Sequence, residues 1–487
     1  MSSTRNPARI ATESAEPARR PAGAFDPEAP SPLAAVRFGL GHRLGGSVPP
    51  LSPAALARTL PERAAPLPQG SLEETRLRVV GAAQLRAEQA ALRKQGDAKA
   101  VAALQERRRL LLRDLYGEDT DRYLSHLVTA KDDLAERLVL FWTDHFAVSA
   151  APFILRPLVP AMVEEAIRPR IHARFADLLA ATVLHPAMLL YLNQQASVGP
   201  NSPAGRRRSA GLNENLAREI LELHTLGVDG GYGQRDVESL ARVLTGVKVD
   251  MRTGEVAWRR AAAEPGRHEV FGRAFAPASS GEAAGGMDEV RLALAWLATR
   301  PQTARFVTGK LADHFAGPGH APALRERLAE TYLSTEGDLA AVMRTLVLAP
   351  EAWDRELRNL RQPVEYAVAL ARLVPFGAST GDAAGRWNGS TVRRAATTMG
   401  QRPWYAPSPA GWPKDADYWL TAAGLSARLE WAGRAARALA RSVDAPTVLE
   451  KALGGLASPR TRAAVLRAPN RTTAITLALA SPEFNRR

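Results

Sequence analysis

A nearly unbroken helical pattern constrains this chain more than any other sequence feature. Residues 73–116 consist of strong helix formers without proline, so they predict two long helices that separate near Gly96. Amphipathic helical segments recur from residue 132 to the C-terminus, whereas alternating, strand-like sequence is concentrated in residues 247–275. The pattern therefore predicts an all-α fold, a large multi-helix bundle-like domain with a small β-ribbon insert at about 247–275.

The helical pattern also suggests how the 487 residues are organised. Residues 1–34 predict a disordered N-terminal tail, and residues 35–485 predict a single helical domain. No apolar run follows Arg19 and Arg20, so we expect no signal peptide and a cytoplasmic protein, with a periplasmic or exported one as the alternative. No window of about 18 apolar residues occurs, so we expect no transmembrane segment.

The composition is basic and lacks cysteine. Lys and Arg total 64 against 50 Asp and Glu, a formal net charge of +14, and all but seven of the basic residues are arginine. A polyanion-binding surface is one interpretation, but arginine and alanine also rise together in GC-rich genomes, so we do not expect a nucleic-acid partner. The lack of cysteine excludes disulfides, thiolate metal sites and thiol chemistry.

The segment NENLAREILELHTLGV, residues 213–228, is the most informative motif. It predicts a helix on which Asn215, Arg218, Glu219 and Glu222 share one stripe. Glu219 and Glu222 could act as an acid/base couple or as ligands of a divalent metal. We do not favour the metal, because Arg218 already compensates one carboxylate. The alternative is a polar seam inside a helical bundle.

Two histidines are further candidates: His224 lies in the motif itself, and His145 lies on another predicted helix. His224 falls in the apolar arc of the motif helix, where we expect a hydrogen-bonded core residue. His145, in the aromatic segment FWTDHF (141–146), could add a third ligand or a base to Glu219 and Glu222.

A proline- and aromatic-rich segment, MGQRPWYAPSPAGWPKDADYW (399–419), is too apolar to extend into water. It predicts either a lid over the bundle or a surface that presents Trp404 and Trp412 to a ligand.

Four segments together resemble a bacterial family, domain-of-unknown-function family 1800: FWTDHFAVS, the stretch from NENLAREI to LTGV, PQTARFVTGKLADHF and GQRPWYAPSPAGWP. The resemblance implies a mostly helical bacterial protein with no established activity. Family members are often exported and commonly encoded beside a second uncharacterised family that resembles sulfatases and phosphatases, which is therefore an expected partner. The signature polar positions are His145, Asn213, Glu214, Asn215, Arg218, Glu219, Glu222, Asp236, Arg242 and Gln401.

Three functions follow as expectations. The first is a scaffold or binding protein built on a buried Glu/Arg polar seam, with the Trp-rich segment packed across it. The second is a hydrolase-like or metal-dependent enzyme that uses Glu219, Glu222 and His145, and the third is a polyanion-binding protein. The candidate binding residues are Asn213, Asn215, Arg218, Asp236, Arg242, Gln401, Trp404 and Trp412.

Overall fold

The computed structural model describes residues 25–44, 51–60, 72–208, 211–251, 253–277, 283–375, 377–378 and 386–487. Residues 1–24 of the predicted tail lie outside these ranges. At the end of that predicted tail, Leu33 and Ala34 are buried in the core.

The described residues are mostly helical, which confirms the predicted all-α class. The first α-helices are α1 (Pro53–Arg58), α2 (Leu72–Lys94), α3 (Ala98–Thr129), α4 (Asp133–His145), α5 (Leu158–Met162), α6 (Phe175–Val183), α7 (Pro186–Tyr191), α8 (Pro203–Arg208), α9 (Asn215–Glu219) and α10 (Gln234–Leu244). The later ones are α11 (Ala283–Ala298), α12 (Pro301–Ala316), α13 (Pro322–Ser334), α14 (Leu339–Val347), α15 (Pro363–Leu373), α16 (Gly389–Thr398), α17 (Ala416–Trp419), α18 (Ala422–Leu439), α19 (Ala445–Leu453), α20 (Pro459–Leu466) and α21 (Arg471–Leu479). Short π-helical segments occur at Ala34–Phe38, Val163–Ile167 and Ile220–Thr225.

Local sequence sets several of these helix ends. The break between α2 and α3 falls at Gly96, whose φ of +76° suits glycine, and the side chain of Asp97 accepts a hydrogen bond from the Ala100 N–H to start α3. Asp132 caps α4 in the same way through Ala135 N–H. The predicted break near Gly96 is therefore confirmed.

The predicted β insert consists of two separate antiparallel ribbons. Strands β1 (Val247–Val249) and β2 (Val256–Trp258) form one, and β3 (His268–Val270) and β4 (Arg273–Phe275) form the other. The first ribbon packs on α11, where a Cβ at Gly286 would lie 2.5 Å from the Trp258 ring. Each ribbon is thus stabilised by a helix, as a two-stranded ribbon requires.

Some of the arginine charge lies in the interior. The buried arginines are Arg37, Arg137, Arg168, Arg361, Arg372, Arg428 and Arg487. They donate hydrogen bonds to backbone carbonyls and to carboxylates, as Arg137 does to Gly39 O at 2.7 Å and to Glu365 at 2.7 Å. Buried carboxylates such as Glu136 and Glu365 offset part of this buried positive charge, and polyanion binding stays a prediction.

Candidate functional site

The motif helix is not one regular α-helix. It begins as α9 and continues from Ile220 to Thr225 as a π-helix, so the angular spacing of residues 219–225 departs from the predicted stripe. Glu219 and Glu222 are partly exposed. Burial, and then the charge of Glu222, raise the pKa of Glu219. The Tyr232 hydroxyl donates a long hydrogen bond of 3.5 Å to Glu222.

The predicted buried Glu/Arg seam is wrong. Arg218 pairs with Glu214 at 3.0 Å and Arg242 with Glu238 at 3.2 Å, each within its own helical segment. The side chains of Arg218 and Arg242 are 43% and 33% exposed. Carboxylates one helical turn away attract these arginines locally, so the arginines do not bridge inward to Glu219 and Glu222.

The side chains of two further signature residues accept hydrogen bonds from backbone N–H groups. The Asn213 side chain accepts a hydrogen bond from the backbone N–H of Asn215, at 3.0 Å. The Asp236 carboxylate accepts one from Gly233 N–H at 3.0 Å, which caps α10, and another from Phe271 N–H at 2.9 Å. These contacts fix where the motif helix and α10 begin.

His145 lies away from the two glutamates. Its Nε2 donates to the backbone oxygen of His224 at 3.2 Å, and its Nδ1 lies 2.9 Å from Lys310 Nζ. No hydrogen bond or ion pair joins it to Glu219 or Glu222 among the described residues, so the predicted three-residue constellation is not assembled. Nor do the described residues contain a group of three or more His, Asp or Glu side chains placed to hold a metal ion.

His224 is buried as expected, but the expected hydrogen bond is missing. Neither ring nitrogen has a partner among the described residues. The ring packs against Phe146 at 5.1 Å between centroids, and burial lowers the pKa of His224 to about 3. The ring is therefore neutral and acts as an apolar packing group.

A cavity of about 480 Å³ lies elsewhere, bounded by α4, α12 and the Trp-rich segment 399–419. This volume is in the range of small-molecule sites. Its apolar lining comprises Leu140, Phe141, Val148, Val159, Met162, Trp404 and Trp412.

Lys310 of α12 supplies an ammonium group to this cavity. Its only hydrogen-bond partner in the described chain is His145 Nδ1, and no carboxylate oxygen there lies within 4.0 Å of Nζ. The pKa of Lys310 is lowered to about 8, mainly by burial. The charge of Lys414 also lowers this pKa, and the charge of Asp144 raises it. Lys310 is only partly buried, but a cation at a mostly apolar cavity without an ion-pair partner is a candidate contact for a ligand anion.

Three other polar side chains line the cavity with an unpartnered atom. These atoms are His314 Nε2, Tyr123 Oη and Thr143 Oγ1. Arg487 donates to His314 Nδ1 at 3.2 Å, so the neutral His314 ring carries its proton on Nε2. These three atoms are buried beneath the cavity lining and have no hydrogen-bond partner among the described residues.

The Trp-rich segment forms one wall of the cavity and is fixed to α4 by Asp144. The Asp144 carboxylate accepts a hydrogen bond from Trp412 N–H at 2.8 Å and pairs with Lys414. Trp404 has a φ of +59°, which a bulky residue rarely adopts. Trp404 and Trp412 line the cavity, and both predicted roles, lid and ligand surface, stay predictions.

Gln401, the remaining predicted binding residue, also lines the cavity. Its side-chain oxygen accepts from Val364 N–H at 2.8 Å, and its amide nitrogen donates to Gln362 at 2.9 Å. Gln401 thus joins the Trp-rich segment to the start of α15.

We expect Gly411→Ala to loosen this wall. Gly411 has a φ of +85°, and a Cβ there would lie 2.5 Å from Asp144 O, so the substitution strains the backbone and pushes the segment away from α4. We expect a loss of about 2–3 kcal/mol in the free energy of unfolding, measured by urea titration. Gly266→Ala is the control, because Gly266 also has a positive φ but open space around it. Equal losses in both variants would contradict the close contact.

Sequence reasoning missed Lys310, His314 and Tyr123. Lys310 and His314 are spaced i, i+4 in PQTARFVTGKLADHF, so they share one helical face. That spacing was a usable signal, but it also fits a solvated helix face. Only the packing of α12 against α4 shows that this face borders a cavity.

The comparisons with known proteins give a family and no function. The family described as "Protein of unknown function (DUF1800)" matches residues 37–486. No curated protein and no solved structure matches the chain.

Proposed function

Since the chain belongs to the family described as "Protein of unknown function (DUF1800)", we propose its function from the cavity itself: binding of a small organic anion, a carboxylate attached to an apolar group. This keeps the binding-protein class that the sequence favoured, but it moves the site. The polar stripe of residues 215–222 is replaced by the cavity between α4, α12 and segment 399–419.

Lys310 is the observation that carries the proposal. The other cations that line the cavity, Lys414, Arg358 and Arg487, each pair with a carboxylate, on Asp144, Asp354 and Glu365 respectively. Lys310 has no such partner in the described chain. A ligand carboxylate would neutralise it and remove the cost of the buried charge.

The rest of the lining supports an organic ligand rather than an inorganic ion. Trp404, Trp412 and Phe141 offer apolar faces to a hydrocarbon or aromatic group. Thr143, Lys310 and Gln401 add a few polar side chains to this lining. Such a combination of many apolar and a few polar contacts is typical of small-molecule sites.

The ligand test uses two molecules of the same shape. We expect 3-phenylpropionate to raise the melting temperature of the protein, and its neutral amide, 3-phenylpropanamide, to raise it much less. Isothermal titration calorimetry on both gives the affinities. Equal binding of the two, or binding of neither, would contradict an anion site at Lys310.

The affinity for 3-phenylpropionate should also depend on pH. The carboxylate binds the protonated form of Lys310, whose pKa in the free protein is about 8. As pH rises above 8 the ammonium is lost, so affinity should fall by up to about tenfold per pH unit, while it stays level between pH 6 and 7. Binding that is constant from pH 7 to pH 10 would contradict the assignment.

The enzyme hypothesis stays a prediction. The raised pKa of Glu219, caused by burial and by Glu222, is the observation in its favour. Hydrolysis of a test ester that disappears in Glu219→Gln and persists in Glu238→Gln would support it.

The protein partner is also a proposal. From the family resemblance we propose an association with the sulfatase- and phosphatase-like protein encoded nearby, which co-purification from the native host would test. Among the described residues no helix is long and apolar enough to cross a membrane.

A further inference from the structure

We infer that the ligand is a 2-oxo acid and that the side-chain nitrogen of Lys310 captures its carbonyl carbon as an imine. This inference rests on the proposed function, because it requires the cavity to be the ligand site. It adds the chemical class of the ligand and a covalent bond to Lys310.

The position of Nζ provides the geometric argument. Lys310 lines the cavity, and its Nζ has one neighbour within hydrogen-bond distance, His145 Nδ1. A neutral amine donates one N–H to that nitrogen, so its lone pair is left for a carbon atom in the cavity. His145 is in turn fixed by its own bond to His224 O, so it holds Lys310 in one orientation.

Lys248 provides a comparison within the same protein. Burial also lowers the pKa of Lys248 to about 8. Its Nζ, however, donates to the carbonyl oxygens of Gln195 and Ser197 at 2.7 Å each and to that of Gln194 at 3.4 Å. Three acceptors hold an ammonium and leave no lone pair for a reaction. A lowered pKa is therefore common to both lysines, whereas of the two only Lys310 lines the cavity and has a single hydrogen-bond partner.

The ligand class follows because the same lysine has to bind the ligand carboxylate and react with the ligand carbonyl carbon. A 2-oxo acid places its carboxylate directly beside its carbonyl carbon. The carboxylate can bind the ammonium form of Lys310, and after loss of a proton the same nitrogen is within reach of the adjacent carbonyl. About a tenth of Lys310 is neutral at pH 7 with a pKa near 8, so the reactive form is populated.

The reaction balances without an oxidant or reductant. The neutral amine attacks the carbonyl carbon, a C–N bond forms as the C=O π bond opens, and one proton passes from nitrogen to oxygen to give a carbinolamine. The hydroxyl is then protonated and leaves as water while the nitrogen lone pair forms the C=N bond. The resulting iminium loses the second nitrogen proton, which replaces the proton taken up by the hydroxyl, so amine and ketone become imine and water.

The test traps the imine in the full-length wild-type protein. Phenylpyruvate is the probe, because it is the 2-oxo acid with the carbon skeleton of 3-phenylpropionate. Sodium borohydride reduces an imine to a stable secondary amine, and peptide mapping by mass spectrometry identifies the modified lysine. We expect one adduct, on Lys310, and at least tenfold less on Lys248 and on exposed Lys451. The wild-type map is informative even if a Lys310 variant folds poorly.

The outcomes separate this inference from the proposed function. If 3-phenylpropionate binds but phenylpyruvate leaves no reduced adduct on Lys310, the imine is refuted and the anion site remains. If neither molecule binds, both ideas fail. An adduct spread evenly over exposed lysines would also overturn the inference, because it would show ordinary surface reactivity.

Discussion

Glu365→Gln is expected to lower the free energy of unfolding by about 3–5 kcal/mol at neutral pH. Glu365 lies beside the cavity and is buried between two buried arginines. One carboxylate oxygen accepts from Arg137 at 2.7 Å, and the other pairs with Arg487 at 3.2 Å and accepts from Gln362 N–H at 3.0 Å. Removing the negative charge leaves two buried guanidinium groups uncompensated.

The pH dependence of this effect has a definite sign. Burial alone would raise the pKa of Glu365, but Arg487 and Arg137 lower it to about 2, from an ordinary value of 4.5. A carboxyl with a lowered pKa in the folded state stabilises the protein fully above pH 4.5. That stability is lost as pH falls from 4.5 toward 2. The difference between wild type and Glu365→Gln should therefore narrow over this acidic range.

Glu430→Gln is the matched control. Glu430 also pairs with an arginine, Arg434 at 2.7 Å, but its side chain is 53% exposed. We expect a change below about 0.5 kcal/mol there. Urea titrations followed by tryptophan fluorescence measure both variants at pH 7 and pH 3. A loss below 1 kcal/mol for Glu365→Gln would show that the two arginines do not depend on this carboxylate.

Lys310→Met is expected to stabilise the protein and to abolish anion binding. Methionine replaces a partly buried ammonium that has no ion-pair partner in the described chain by an apolar side chain of similar length, so the cost of desolvating the charge disappears. The lost bond to His145 Nδ1 offsets part of this gain. We expect a net gain of about 1–2 kcal/mol in the free energy of unfolding at pH 7, together with loss of the stabilisation by 3-phenylpropionate.

The gain should depend on pH because the pKa of Lys310 is lowered to about 8 in the folded protein, from an ordinary value of 10.5. Below pH 8 the folded state holds the costly charge. Between pH 8 and 10.5 the folded state loses its proton while the unfolded state keeps it, so the wild type gains stability as pH rises. The advantage of the methionine variant should therefore shrink over that range.

Lys248→Met is the matched comparison and should have the opposite sign. Its ammonium satisfies the carbonyls of residues 194, 195 and 197 at the end of a short helical turn. Methionine cannot donate to them, so we expect a loss of about 2–3 kcal/mol. If both substitutions destabilise the protein alike, Lys310 is a structural lysine and the anion site loses its main support.

The sequence predicted the arrangement of elements well because that arrangement depends on local chemistry. Helix-forming composition without proline predicted α2 and α3, and Gly96 marked their boundary. Alternation of β-branched residues around Gly254 predicted β1 and β2. Each of these signals lies within a few residues of the helix or strand that it predicts, so it can be interpreted without knowing which elements pack against each other.

The predicted site was less accurate because it depended on which arginine and glutamate side chains form ion pairs. Arg218 and Arg242 were expected to reach Glu219 and Glu222, but each has a carboxylate one turn away on its own helix. His145 was expected beside the glutamates, yet it points toward α12 and Lys310. Gln401, Trp404 and Trp412 line the cavity, and their role as binding residues stays a prediction.

By itself, the sequence determined the helical class, the small β insert and the family, because each follows from short-range periodicity or from a long continuous motif. Only the tertiary structure decided where a ligand could bind. Tyr123, Asp144, Lys310, Gln401 and Arg487 are far apart in the chain, and packing alone brings them around one cavity. Whether a lysine is solvated, paired or left facing a cavity depends on those distant neighbours, and its charge, pKa and function depend on them as well.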